Sequence, residues 1–192
     1  CFQVIIPVWH SKTRLINEVV RPCGTCNACD LSEGVHPVPR LGGKAAFMVV
    51  TDCPNFSEAS DNKMLSGKAS NYVREALAAS DIQVGQGYFT SLVKSPKNDK
   101  VLSNEQINGC KQWLDKEIEI LKPPVIVMLG NSVIKHLAPE IKPGMENAGR
   151  IIYRPELDAS LIVGFNPASI TFDHSKQSNL NEIFERVSES IN

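Results

Sequence analysis

From about residue 45 onward, short apolar runs alternate with stretches of helical period. The run "AAFMVV" (45–50) is bounded by Gly42-Gly43 and by "TDCPN", which predicts a buried strand feeding a loop. Over 68–80 the residues Ala69, Tyr72, Val73, Ala76 and Leu77 fall on one helical face. "GYFTSLVK" (87–94) predicts a second strand, followed by the polar loop "SPKNDK". Ser103 and Gln106 then have the spacing of a capping box, opening a helix with Ile107, Cys110, Leu114, Ile118 and Leu121 on one side. Pro123-Pro124 ends that helix, because proline offers no amide hydrogen and clashes with the preceding turn. "VIVMLG" (125–130) predicts a third buried strand, 132–137 a short helix, and 151–153 and 160–165 two further strands. The last helix is expected over 176–191, with Leu180, Ile183, Phe184 and Val187 inward.

Apolar strands separated by amphipathic helices imply an α/β fold: three layers, α/β/α, around a central, mostly parallel, four-stranded sheet. Ligands of such sheets bind beyond the carboxyl ends of the strands, so the loops "TDCPN", "SPKNDK", "LGNS" and "NPAS" are where a site is expected. Residues 1–41 read as an irregular, cysteine-rich lead-in and 42–192 as the α/β core of one domain. The chain starts on Cys1 rather than Met, which suggests a part of a longer protein.

At 192 residues, 42% apolar and 21% charged, the composition is that of an ordinary globular chain. A formal net charge of -1 speaks against a general polyanion binder and leaves room only for local basic strips. No apolar run approaches the ~20 residues that cross a bilayer, and no basic, apolar leader opens the chain. The expectation is an intracellular protein without membrane contact, in cytoplasm or nucleoid, or in the host cytoplasm if phage-encoded. In such a compartment the clustered cysteines of "RPCGTCNACDL" point to metal rather than disulfides.

Taken together, these loops and cysteines resemble the iron–sulfur, family 4 branch of the uracil-DNA glycosylases. The family's Cys-x-x-Cys-x-Leu is matched by Cys26, Cys29 and Leu31. Its GEAPGxxEDxxGxPFxGxAG is matched by "TDCPNFSEASDNKMLSGKAS", with Pro54, Glu58, Gly67 and Ala69 identical and Asp52 in the place of the first Glu. Its TNVVKCRPP is matched by "TSLVKSPKND", its PxVIVxLGxxAxxxL by "PPVIVMLGNSVIKHL", and its HPS by "NPAS".

The resemblance implies a uracil-DNA-glycosylase-like fold in which a flipped base enters a pocket and water attacks the sugar. It places the catalytic carboxylate at Asp52, the charge-stabilising residue at Asn166 and the base-reading residue at Ser91. A serine hydroxyl cannot reproduce the paired donor and acceptor of the family's Asn. The stacking Phe of the family falls at Leu65, which has no π face, and Phe56 is the candidate substitute. Ser66, Gly67 and Lys68 at a helix start, Lys94 and Lys97 with Lys100 in the basic loop, and Ser169 are the candidate DNA contacts.

The family's third cysteine ligand falls at Ser95 and its fourth at Cys110, so Cys23 is the candidate replacement. The resulting set is Cys23, Cys26, Cys29 and Cys110, for a 4Fe-4S cluster or, alternatively, zinc. Three functions follow. The first is a DNA-contacting module of a replication or repair protein, a phage DNA polymerase being one precedent, with a degenerate base-excision site and with double- or single-stranded DNA and the other domains of that protein as partners. The second is an active glycosylase for uracil or another damaged base. The third is a metal-stapled protein-interaction module.

Overall fold

The computed structural model describes residues 15–16, 18, 30–31, 40–41, 45–97 and 101–192. Strands β1 (Arg40–Leu41), β2 (Phe47–Thr51), β3 (Gly87–Ser91), β4 (Val125–Leu129), β5 (Ile151–Arg154) and β6 (Ala159–Val163) form one sheet in the order β1-β3-β2-β4-β6-β5. The inner strands β3, β2, β4 and β6 are parallel, and β1 and β5 add antiparallel edges. The parallel four-stranded core is the predicted one; both edges extend it.

Alternation along the strands splits the core into two faces. Phe47, Val49, Phe89, Val127, Leu129 and Ile162 pack under α2 (Lys68–Ala79) and α5 (Lys176–Ile191), which contribute Val73, Leu77, Leu180 and Phe184. Met48, Val50, Tyr88, Ile126, Met128 and Leu161 pack under α3 (Asn104–Leu121) and α4 (Asn131–Leu137), through Leu114, Ile118, Val133 and Ile134. Ile16, in the stretch read as irregular, is helical and buried in this second cluster. No helix among the described residues is long and apolar enough to cross a membrane.

Most element boundaries follow the sequence pattern, and α3 opens on the expected capping box, with Ser103 accepting from Gln106 N. Helix α1 (Phe56–Ser60), capped reciprocally by Asn55 and Glu58, was not expected, nor was the short strand β1. The strand expected over 87–94 stops at Ser91, after which the chain bends while Leu92 N and Val93 N bond the carbonyls of Thr51 and Asp52 (2.8 and 3.0 Å).

That bend carries Lys94 inward, away from its expected place as a DNA contact in a basic loop. Its side chain is 6% exposed and its Nζ donates to Glu117 Oε2 (2.8 Å), Thr90 Oγ1 (2.8 Å) and the Ser91 carbonyl (2.7 Å). Thr90 Oγ1 also donates to Glu117 Oε2 (2.9 Å), so three groups close a network under the end of β3. Glu117 is fully buried in the apolar stripe of α3, and without Lys94 its charge would lie in a medium that solvates it poorly. Lys94→Met and Glu117→Leu are each expected to cost roughly 3 kcal/mol or more in denaturant unfolding. The double variant is expected to lose less than the sum, and additive losses would mean that the two groups do not interact.

Candidate functional site

The sheet has its topological switch at β2, whose two parallel neighbours, β3 and β4, lie on either side of it. A cavity of ≈ 200 Å3 opens at the carboxyl end of this point, with Asp52, Phe56, Glu58, Leu65, Lys97 and Asn166 in its wall. An apolar cavity of about 150 Å3 takes up a benzene ring, so this space suits one planar base-sized ring. Four loops far apart in sequence meet here because parallel strands deliver all their carboxyl ends to one side.

Asp52 follows β2 and reaches across to the turn after β4. Its Oδ1 accepts from the amides of Ser132 (2.8 Å) and Val133 (3.0 Å), whose donors would otherwise be orphaned at the start of α4. Gly130 makes the approach possible: a Cβ there would stand 2.3 Å from the Asp52 carboxyl carbon. Burial pushes the Asp52 carboxyl above its ordinary value of 3.8, opposed by the amides of Val133, Ser132 and Asn131. This carboxylate is a cap between distant elements as well as a wall of the cavity.

Glu58 is a second carboxylate in the wall, present in the family pattern but given no role in the sequence analysis. It is 5% exposed, and its oxygens accept from Asn55 N (2.9 Å), Leu65 N (2.7 Å) and Ser70 Oγ (3.0 Å). Burial pushes its carboxyl up, against the lowering effect of those donors. The signal for it was legible: Asn55 and Glu58 have the capping-box spacing at the mouth of a predicted loop. Leu65 is buried at φ 67, a left-handed backbone that costs a non-glycine residue about 1–2 kcal/mol. Glu58 holds its amide and Arg74 its carbonyl, which fixes this conformation.

The remaining expected residues divide into two groups. Phe56 lines the cavity and is 60% exposed, so it stands at the mouth rather than in the core. Asn166 also lines the wall, is exposed, and its Oδ1 accepts from Ala168 N (2.9 Å) to open the 3-10 helix Pro167–Thr171, which contains Ser169. Lys97 borders the cavity and donates to Gln106 Oε1 (3.1 Å) and the Val101 carbonyl. Gly67 is the N-cap that precedes α2, at φ 84 and close against Ser57, with Ser66 before it and the exposed Lys68 after it. Ser91 is 2% exposed and lies outside the cavity wall; its neighbours Phe89 and Thr90 line it instead. Cys53, read as a packed cysteine, lines the cavity.

Of the proposed metal ligands, Cys23, Cys26 and Cys29 lie outside the described residues, as do Cys1 and Lys100. Cys110 is buried on α3 and is in no disulfide. One turn before it, the buried Gln106 donates from Nε2 to Asp30 Oδ1 (2.8 Å). Asp30, which directly follows Cys29 in the chain, is thereby held beside the helix that carries Cys110. No group of three potential metal ligands occurs among the described residues.

Comparison with known proteins agrees with this geometry. The description "Uracil DNA glycosylase superfamily" matches residues 39–188, which includes every strand and the whole cavity wall. The chain is 26% identical to a type-4 uracil-DNA glycosylase of Saccharolobus solfataricus, over 92% of the chain and 85% of that protein. It is 29% identical to the type-4 uracil-DNA glycosylase of Archaeoglobus fulgidus over 60% of the chain and 59% of the relative. It is also 26% identical to DNA polymerase III subunit alpha of Yersinia pestis over 80% of the chain, while spanning 13% of that polymerase subunit. A DNA polymerase of Bacillus phage SP01 is 29% identical over 58% of the chain, which spans 13% of it. A match over most of the length, coinciding with the cavity at the sheet's switch point, means that the chain belongs to the uracil-DNA glycosylase superfamily.

Proposed function

We propose that this domain is a DNA-contacting module of a replication or repair protein, built on the glycosylase fold and without efficient base excision. The observation that carries the reading is a separation: the cavity is kept, whereas the base-reading position, Ser91, is buried outside its wall. Other expected catalytic groups have structural tasks. Asp52 caps α4 through Oδ1, and Asn166 accepts from Ala168 through its own. Leu65 offers no π face to a base, though Phe56 stands nearby at the mouth. Each preorganised donor or acceptor missing from such a site is worth about a hundredfold in rate, so several absences together leave little excision.

The replication context rests on the two relatives named as DNA polymerases, of each of which the chain spans 13%. That proportion suits a module carried beside polymerising parts, in the cytoplasm of a cell or of a phage's host. The second reading, an active glycosylase, is favoured by the Asp52 carboxylate, which lines a ring-sized cavity.

Single-turnover incubation with uracil-, hypoxanthine- and mismatch-containing oligonucleotides decides between the two readings. Abasic product is expected to stay at background; product that vanishes in Asp52→Ala would establish the glycosylase. As a structural cap, Asp52 should cost about 1–3 kcal/mol of stability when changed to Ala, since two amides lose their acceptor.

The Asp52 charge also has a pH signature. Its folded carboxyl binds protons more tightly than the unfolded one, so its contribution to stability falls as pH rises from 3.8 through the raised folded value. Asp52→Asn cannot titrate, so its stability relative to wild type is expected to increase across that interval in denaturation curves. A constant difference would mean that burial does not raise this carboxyl.

A 4Fe-4S cluster on Cys23, Cys26, Cys29 and Cys110 belongs to the same proposal, with zinc as the alternative. The residues fit: a buried thiol on α3 lies one turn from the residue that anchors Asp30, and four thiolates suit either metal. The cluster would staple the lead-in to α3. Protein purified without oxygen is expected to contain iron and acid-labile sulfide, and to lose both in Cys110→Ser and Cys23→Ser. Colourless protein with bound zinc would replace the cluster by zinc, and unchanged metal in Cys23→Ser would remove that ligand from the set.

A further inference from the structure

A second hollow lies at the other end of the sheet. It is a groove of ≈ 440 Å3, more than twice the volume of the cavity described above. Lys122 leads into β4, and Glu156, Leu157 and Asp158 lead directly into β6, so the groove they line is at the amino ends of these parallel strands. The cavity beside Asp52 is at their carboxyl ends, a strand length of roughly 16 Å away. The floor of the groove is apolar. Ile118 of α3 belongs to the second core cluster, and Leu137 of α4 and Leu157 pack against that cluster while staying only half-buried.

The walls are tied to one another. His136 Nε2 and Asp115 Oδ1 are 2.8 Å apart, which joins α4 to α3, and Arg154 Nε donates to the Leu137 carbonyl (3.3 Å), which joins the β5–β6 hairpin to the end of α4. Within the turn, the amides of Leu157 and Asp158 donate to the carbonyls of Arg154 (3.1 Å) and Pro155 (3.2 Å), and Tyr153 Oη donates to Asp158 Oδ1 (2.8 Å). The groove is thus formed before anything binds, and filling it costs little ordering. Since a cavity of about 150 Å3 takes up a benzene ring, this volume takes up about two or three apolar side chains.

The rim restricts what can fill it. Asp115, Glu119, Glu156 and Asp158 line it and are exposed, and Lys122 is the one basic residue among the lining residues. Arg154 brings a guanidinium within 3.9 Å of Glu156, but it also pairs with Glu140. Lys116, next to Asp115 in α3, lies over the Trp113 ring (5.0 Å). With these partners included, five carboxylates stand against Lys122, Arg154 and a histidine. Such a surface repels phosphates, and an uncharged apolar ligand would leave its rim unused. A polypeptide with cations on either side of apolar residues matches floor and rim together.

We propose that this groove docks a polypeptide segment in which lysine or arginine residues flank leucine-like side chains. The apolar side chains cover Ile118, Leu137 and Leu157, and the flanking cations face Glu119 on α3 and Asp158 on the turn. This stands apart from the DNA-contacting reading, because it uses the opposite end of the sheet.

The test is fluorescence anisotropy of the 192-residue chain with a labelled peptide of about 12 residues that repeats Lys-Leu-Leu-Lys, beside controls that repeat Lys-Ser-Ser-Lys and Glu-Leu-Leu-Glu. The first peptide is expected to bind saturably. Each control lacks one half of the match and should bind at least about tenfold more weakly. Glu119→Lys and Glu156→Lys should each weaken binding about fivefold with an unchanged unfolding midpoint. Glu182→Lys, at an exposed position of α5 on the other face of the sheet, should leave binding as in wild type. Equal binding of the serine peptide, or equal weakening by Glu182→Lys, would reduce the effect to general charge attraction and overturn the proposal. Absence of saturable binding overturns it too, as do Glu119→Lys and Glu156→Lys variants that bind as wild type does. Sedimentation without peptide tests the other occupant: a dimer that Glu119→Lys dissociates would mean that a second copy fills the groove, and would overturn the segment. Each of these failures leaves DNA contact standing.

Discussion

The bond between the Asp52 carboxylate and the amides that open α4 joins the two strands on which the cavity is built. β2 and β4 are neighbours in the sheet, yet the loops leaving them diverge to opposite faces, one toward α1 and α2 and the other into α4. Without a tie, the crevice between those loops would be set only by the strands below it. Asp52 supplies the tie at 2.8 and 3.0 Å, and Gly130 allows it because no Cβ intrudes. Both residues lie in strand-end loops where ligand chemistry is expected, and both are constrained by architecture first.

The same division of labour runs through the rest of the wall. Glu58 bonds three donors and thereby fixes α1, the left-handed Leu65 and the first turn of α2. The Lys94–Glu117 pair supports Thr90, whose side chain is bonded on the side of the pair while the residue lines the cavity. Asp52 and Lys94, which a linear reading assigns to catalysis and phosphate contact, are drawn to internal partners here, whereas Lys68 stays exposed.

How much of this was legible follows from the range of each interaction. Strands and helices were readable because periods of 2 and 3.6 residues are local properties of the chain. Even α1 had a local signature, in Asn55 and Glu58. The burial of Lys94 had none: "KSPKNDK" has the composition of a solvated loop, and its partner lies 23 residues on. The partner itself was half-legible, since Glu117 falls among Leu114, Ile118 and Leu121 on the apolar stripe of α3. An acid in that position requires a cation, but only the fold says which one. The Asp52 cap, 80 residues from its donors, was equally beyond any local pattern, so its carboxylate was legible as a site residue and not as a structural one.

Helix α3 connects these observations in a way that no single loop does. Gln106, Cys110, Leu114 and Glu117 fall on one stripe of the helix, at spacings of four, four and three residues. The first holds Asp30, the second is the thiol nearest to that anchor in the helix, and the last supports the back of the cavity through Lys94 and Thr90. Asp30 and the cavity therefore rest on one rigid element, although they are far apart in sequence. A metal that staples the lead-in to this stripe would stabilise the helix that also carries the buried acid. With such a metal bound, the cysteines would have a structural role independent of excision chemistry: they would brace the scaffold on which the base-sized cavity is built.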